Sequence, residues 1–321
     1  MRFHSITSAA LAFALAGGGT ALVAQDKTAD LLGATRKAIG KKVDAVKTLS
    51  VQATVQRNVG SMQMTSDVEL LLELPDKYLR SDVTSGPISG GMTSGFNGDK
   101  PLQRANMPAM GGGQMVIRMA GPAGTSFSTN GTEKLSPEDQ ERVNQAMLRS
   151  SRQEISRLML GWFAMAHPSI NATYAYAGEA ESLDGKANVI DVKNADGFAA
   201  RLFIDQVSEL PLMLTYQAPQ PRMLTAGGGP TMVRREAGKP LTDEERQKMR
   251  EDAEKQLQEL QKQPPVMADY TLYFDEWLEV DGLKFPHRIR RAMGGATTEE
   301  WTITKVKVNP KIDPKKFAIE S

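Results

Sequence analysis

The sequence predicts an α+β protein built on an antiparallel sheet that is strongly twisted or curled. Several runs alternate apolar and polar residues with a period of two, and Asp-Gly pairs join them at Asp184-Gly185, Asp196-Gly197 and Asp281-Gly282. One run, SMQMTSDVELLLEL, keeps its alternation for fourteen positions, about 46 Å of extended chain at ~3.3 Å per residue. That is far beyond an ordinary strand, and a flat sheet of such strands exposes too much edge. Two other segments space their apolar residues by three and four, so helices accompany the sheet.

The chain opens on MRFHSITSAALAFALAGGGTALVAQ: a basic Arg2, an apolar stretch from Ile6, then small residues. This is the layout of a secretory signal peptide over residues 1–24, with cleavage expected after Ala24. A membrane anchor fits less well, because Gly17, Gly18 and Gly19 interrupt the run and no stop-transfer charge cluster follows. After removal, residues 25–321 form a single domain, exported and not membrane-spanning.

DLLGATRKAIGKKVDAVKTL then sets Leu32, Thr35, Ile39, Val43 and Val46 on one face of a helix. Leu49, Val51, Ala53 and Val55 begin the strand pattern, and Met62, Met64, Val68, Leu70, Leu72 and Leu74 continue it. PDKYLRSDV reads as a third strand. Residues 85–132, rich in Gly and Met, read as short strands joined by loops. Ser136 caps a second helix with Pro137 at its first position and Asp139 three residues after the cap. Its apolar face (Val143, Met147, Ile155, Leu158, Met159, Trp162, Phe163) runs to His167 before Pro168, with a break expected at Arg149–Arg152. A meander from Ala172 follows. Pro219 to Pro265 interrupts it as an insertion, where TDEERQKMREDAEKQLQELQK forms a capped, charged surface helix from Thr242. YTLYFDEWLEVDGLKFPHRIRR closes the pattern as a hairpin. Its Pro286 suits a sheet edge or bulge, and Arg288 to Arg291 would guard that edge against pairing.

The composition excludes several function classes. There is no cysteine, hence no disulfide framework, thiol nucleophile, Cys-based metal site or lipid anchor on an N-terminal cysteine. The charges, 39 Lys+Arg against 38 Asp+Glu, become equal once Arg2 leaves with the leader, so nothing marks a nucleic-acid binder. Two histidines remain: His167 at a helix end, read as a cap or surface residue, and His287 among arginines with no base partner. No P-loop, GxSxG, HExxH or dinucleotide fingerprint occurs, so no catalytic residue and no cofactor is assigned and the chain is not read as an enzyme. The 17 methionines could offer thioethers to Cu(I), but Met62 and Met64 share a face with Val68 and Leu70, as a core or an apolar wall requires. No metal is assigned.

Taken in order, LPDKYLRSD (Leu74 to Asp82), FNGDK (Phe96 to Lys100), DGLKFPHRI (Asp281 to Ile289) and NPKIDPKKF (Asn309 to Phe317) resemble the LolA-like periplasmic proteins, the outer-membrane lipoprotein-sorting superfamily. The resemblance covers most of residues 26–321. It implies a LolA/LolB-like fold, an incomplete, unclosed antiparallel β-barrel wrapped around helices with an apolar cavity between. It also implies a periplasmic carrier of a lipid or acylated lipoprotein. In related branches the fold serves an envelope sensor that binds a regulatory protein partner, and here the 219–265 insertion would be the contact arm. Met64, Leu70, Leu72, Trp162, Phe163, Leu272 and Phe274 are the expected ligand-lining residues.

Overall fold

The computed structural model describes residues 21–59, 62–84, 90–106, 119–120, 126–127, 136–182, 185–220, 242, 244, 247–248, 251 and 263–318. Among the described residues two continuous α-helices, α1 (Ala21–Ile39) and α2 (Pro137–Phe163), accompany fourteen strands. The strands are β1 (Thr48–Val59), β2 (Met62–Glu73), β3 (Lys77–Thr84), β4 (Gly90–Asn97), β5 (Lys100–Asn106), β6 (Met119–Ala120), β7 (Ser126–Phe127), β8 (Thr173–Ser182), β9 (Gly185–Lys193), β10 (Ala199–Asp205), β11 (Pro211–Pro219), β12 (Met267–Val280), β13 (Leu283–Met293) and β14 (Ala296–Val308). The chain divides into two compact units: Met1–Met107, Met147–Gln217 and Asp269–Ser321 make one, Pro108–Ala146 and Ala218–Ala268 the other. In the second unit β6 pairs with β7 and the first turns of α2 begin. Glu244, Gln247, Lys248 and Glu251 are helical there, and most of the 219–265 insertion lies outside the described residues. Among the described residues no helix is long and apolar enough to cross a membrane.

The first unit holds a twelve-stranded antiparallel sheet in the order β5-β4-β3-β2-β1-β14-β13-β12-β11-β10-β9-β8, unclosed because its end strands β5 and β8 do not pair with each other. The sheet bends around α2. Glu154 on α2 pairs with Arg80 on β3, while Arg157, three residues on, lies 4.1 Å over the ring of Tyr216 on β11. Three residues advance a helix by about 4.5 Å. In the sheet order β3 and β11 are six steps apart, roughly 29 Å if the sheet were flat. Only a curled sheet brings both to one stretch of helix.

The alternation read from the sequence sets the inner face. Leu49, Val51, Ala53 and Val55 are buried, as are Val68, Leu70 and Leu72 opposite them in β2. The first helix keeps its predicted face, with Leu32, Thr35, Ile39, Val43 and Val46 all buried, but α1 ends at Ile39. Gly40, at φ +151°, turns the chain there, and a Cβ on it would meet the Gly282 carbonyl oxygen at 2.5 Å. A short 3-10 turn, Val43–Ala45, carries the rest of the face.

The second helix starts as expected, with the Asp139 N–H donating to Ser136 Oγ at 3.1 Å. It is unbroken through Arg149–Arg152, because Leu148, Ser151 and Ile155 keep the buried stripe in phase. It stops at Phe163 rather than His167, where Ala164 takes φ +51°.

The Asp281-Gly282 turn has φ +54° and +82° between the paired Val280 and Leu283, the mirror-image geometry that two-residue hairpins favour. The edge reading of Pro286 is corrected. β13 lies inside the sheet, and Pro286 faces Trp277 of β12. On the other side the β13–β14 ladder begins only at Arg288 with Thr302, so proline withdraws no donor from it. Arg288 and Arg290 therefore guard no edge, and are paired instead with Glu300 at 2.8 Å and Asp275 at 3.0 Å.

Gly161 is a close approach of α2 to the sheet, since a Cβ there would stand 2.0 Å from the ring of Phe274. That ring is 2% exposed, so making room for a Cβ requires the surrounding packing to shift. Gly161→Ala should cost about 1–3 kcal/mol, read as a lower urea midpoint at unchanged slope; an unchanged midpoint would contradict this packing.

Candidate functional site

The inner face of the sheet has an apolar half and a charged half, both turned to α2. In the apolar half Trp162 lies 5.0 Å from Phe285 and 6.3 Å from Phe163, ring centroid to centroid, and Phe163 lies 6.2 Å from Phe285. Phe274 sits under Gly161. Of the seven expected lining residues, Leu70, Leu72, Trp162, Phe163, Leu272 and Phe274 are buried, whereas Met64 is half-buried. Met64 is set apart by its register: it faces Arg57 across β1 and β2, at the charged end.

That charged end is built from inward positions of five elements. Arg57 on β1 pairs with Asp82 at 2.5 Å and Glu299 at 3.1 Å. Arg80 on β3 pairs with Asp82 at 2.8 Å, with Glu299 at 4.0 Å and with Glu154 of α2, and its guanidinium covers the Trp301 ring at 4.7 Å. Arg291 on β13 reaches Glu299 at 3.5 Å. The Trp301 indole N–H donates to Glu299, and Ser66 and Thr84 share a hydroxyl hydrogen bond of 3.0 Å.

Glu299 is the hub of this cluster. Burial alone would raise its pKa, but the guanidiniums of Arg291, Arg80 and Arg57, with the indole N–H, outweigh burial and hold the carboxyl far below the usual range. Burial likewise opposes and Arg80 and Arg57 prevail at Asp82, which is also lowered. Glu299 and Asp82 therefore stay ionised at neutral pH.

A second feature lies where the β2–β3 and β4–β5 turns meet α2. A cleft of about 430 Å³ is lined by Pro75, Asp76, Phe96, Gly98, Asp99, Arg152, Pro168 and Ser169. Arg152 donates to the Gly98 carbonyl at 3.1 Å and to Asp99 at 2.7 Å. None of the seven expected lining residues borders this cleft. Next to it His167 does cap a helix, since its Nδ1 accepts from the Ser169 N–H at 3.2 Å, but it is 1% exposed and no surface residue. Its ring meets Phe96 edge-on at 5.4 Å. Burial and then the Arg152 charge lower its pKa to about 4, so it is neutral.

The sequence reading missed the charged cluster. The signal was present in the alternation, because Arg57 follows Val55 by two and Arg80 and Asp82 follow Tyr78 by two and four. Their partners lie up to 242 residues away, and nothing local announces them.

No family model matches this chain, and no curated protein matches it. Solved structures do resemble it. One is a LolA superfamily protein from Nitrosomonas europaea, at 9% identity and TM-score 0.45, over 91% of this chain and 97% of that one. Another is a domain assigned to outer membrane lipoprotein sorting from Vibrio parahaemolyticus, at 8% identity and TM-score 0.42, over 91% of this chain and 96% of that one. A third is a DUF1329 family protein from Desulfovibrio piger, at 10% identity and TM-score 0.40, over 91% of this chain and 97% of that one.

The two buried groups give separable pH effects. His167, with a folded pKa of about 4 below its unfolded value of ~6.5, contributes stability that is complete above the unfolded value and lost as pH falls toward 4, about 3 kcal/mol in all. His167→Asn keeps a cap acceptor for Ser169 and does not titrate, so its urea-derived stability should stay flat between pH 7 and 4.5 while the wild type declines. The lowered carboxyls act at lower pH, their contribution present above the ordinary carboxylate range and lost below about pH 4. Glu299→Gln leaves Arg291 without its carboxylate and should destabilise the protein at pH 7 by about 3 kcal/mol or more, measured by urea unfolding.

Proposed function

We propose that this chain is an exported, periplasmic carrier or binder of a lipidic or acylated ligand, held on the concave face between α2 and the sheet. The observation that carries the reading is the division of that face into an aromatic, apolar part and an ion-paired part, inside a sheet that does not close. An amphiphile has the same division. Each buried methylene is worth about 0.8 kcal/mol, so a chain of a dozen or more supplies on the order of 10 kcal/mol before the costs of binding. The break between β5 and β8 matters for exchange. A sheet whose end strands are not joined can open from its helix without breaking a backbone ladder between them, whereas a closed barrel cannot.

The leader-like residues 1–24 support the export part of this reading, and the LolA-like motifs support the choice of cargo class. The role asks for no chemistry, in keeping with the lack of a nucleophile and base pattern in the sequence.

Native mass spectrometry of protein purified from periplasm should reveal co-purifying lipid, and fatty acids should displace a bound fluorescent fatty acid such as cis-parinaric acid. Neither bound lipid nor displacement would sink the proposal.

A further inference from the structure

We propose, resting on the lipid-binding reading above, that Arg157 and Arg291 form the site for the anionic head of the amphiphile, a carboxylate or phosphodiester at the end of an acyl chain. The charges of the cluster do not balance. Four guanidiniums, on Arg57, Arg80, Arg157 and Arg291, face three carboxylates, on Asp82, Glu154 and Glu299, and every ion pair among them falls to the other three arginines. Among the described residues Arg157 has no carboxylate within salt-bridge reach. Its Nη2 donates to Gln153 at 3.2 Å, its plane lies 4.1 Å over Tyr216, and its Nε is buried without a partner. Arg291 also has a buried Nε without a partner, and it shares its one carboxylate, Glu299, with Arg57 and Arg80.

Two donors and one guanidinium without a paired carboxylate are thus left near one another: Arg157 covers Tyr216, Tyr216 stacks on Tyr270 at 5.3 Å, and Tyr270 is two residues from the Leu272 that faces Arg291. Burial opposes the Arg157 charge, as does Arg291, while Tyr216 and Glu154 favour it without an ion pair. A buried cation without a counter-ion is costly. A ligand bearing a single negative charge removes that cost, and a guanidinium fork suits a carboxylate or phosphate. The place is reachable, because the Arg291 side chain keeps 24% of its exposure.

Its position also fits a head group. Arg291 stands opposite Leu272 across β12 and β13, and Phe274 lies two residues farther along β12, opposite Ile289. On α2, Arg157 is one turn before Gly161, whose backbone rests on that same Phe274 ring. A chain anchored at the arginines would run directly onto the apolar wall.

The test compares palmitate with hexadecanol, which share a chain length and differ in head charge, by displacement of a fluorescent neutral lipid at pH 7.5. Wild-type protein should prefer palmitate by about tenfold or more. Arg157→Gln should bring palmitate down to the level of hexadecanol, which still binds, and Arg157→Lys should keep part of the preference. Equal affinity in the wild type would overturn the proposal while leaving lipid binding intact. So would a preference that survives Arg157→Gln, or a parallel loss of both ligands, which marks Arg157 as structural. Acetate or inorganic phosphate competing as well as palmitate would mark a site for free anions and overturn it as well. Binding of neither lipid would remove the carrier reading and this inference together.

Discussion

The packing of one helix against a sheet that must bend to meet it governs the rest of this structure. Within a few residues of α2, Glu154 reaches β3, Arg157 reaches β11 and Gly161 admits Phe274 of β12. A flat sheet cannot offer those strands together. The helix lies on the face around which the sheet curls, and the end strands β5 and β8 do not pair with each other. Trp162, Phe163, Phe274 and Phe285, each at most 2% exposed, supply the apolar burial that holds this arrangement.

The curl also creates the charged cluster. Once β1, β3, β13 and β14 turn their inner faces toward α2, side chains far apart in sequence share one small volume of reduced polarity. Ions placed there are tolerated only if they are paired and hydrogen-bonded. Glu299 meets that demand by serving Arg57, Arg80 and Arg291 and by accepting from Trp301. Buried ion networks seldom add much net stability over apolar packing, so specific geometry is the better reason for this one. It sits beside the aromatic wall and makes the concave face amphipathic along its length.

The motifs that suggest a family do structural work in this chain. LPDKYLRSD spans the β2–β3 turn and also delivers Arg80 and Asp82 to the interior. FNGDK makes the β4–β5 turn, with Asn97 paired to Lys100 and Gly98 at φ +61°. In NPKIDPKKF the Asn309 side-chain oxygen accepts from the N–H groups of Lys47 and Thr48 at 2.7 and 3.2 Å, tying the last segment to the start of β1. Phe317 then joins Leu71, Leu79 and Leu102 in a cluster on the outer face. Leu71 is buried for that reason, although the alternation alone would place it outward.

The sequence by itself determined most of the elements and the inward faces of the first strands and of both helices. Period two along β1 and β2, the Ser136 cap and the Asp281-Gly282 turn are properties of neighbouring residues, and local sterics and hydrogen bonds decide them whatever surrounds them. Tertiary structure decided the rest. It made β13 an interior strand, so that Pro286 and the arginines after it stand beside partners instead of at an edge. It also gathered Arg57, Arg80, Asp82, Glu154, Arg157, Arg291 and Glu299 from five strands and helices into one site. A charged residue on an inward position reads like any other polar residue until its counter-ions are known, and those are fixed only when the sheet has curled around its helix.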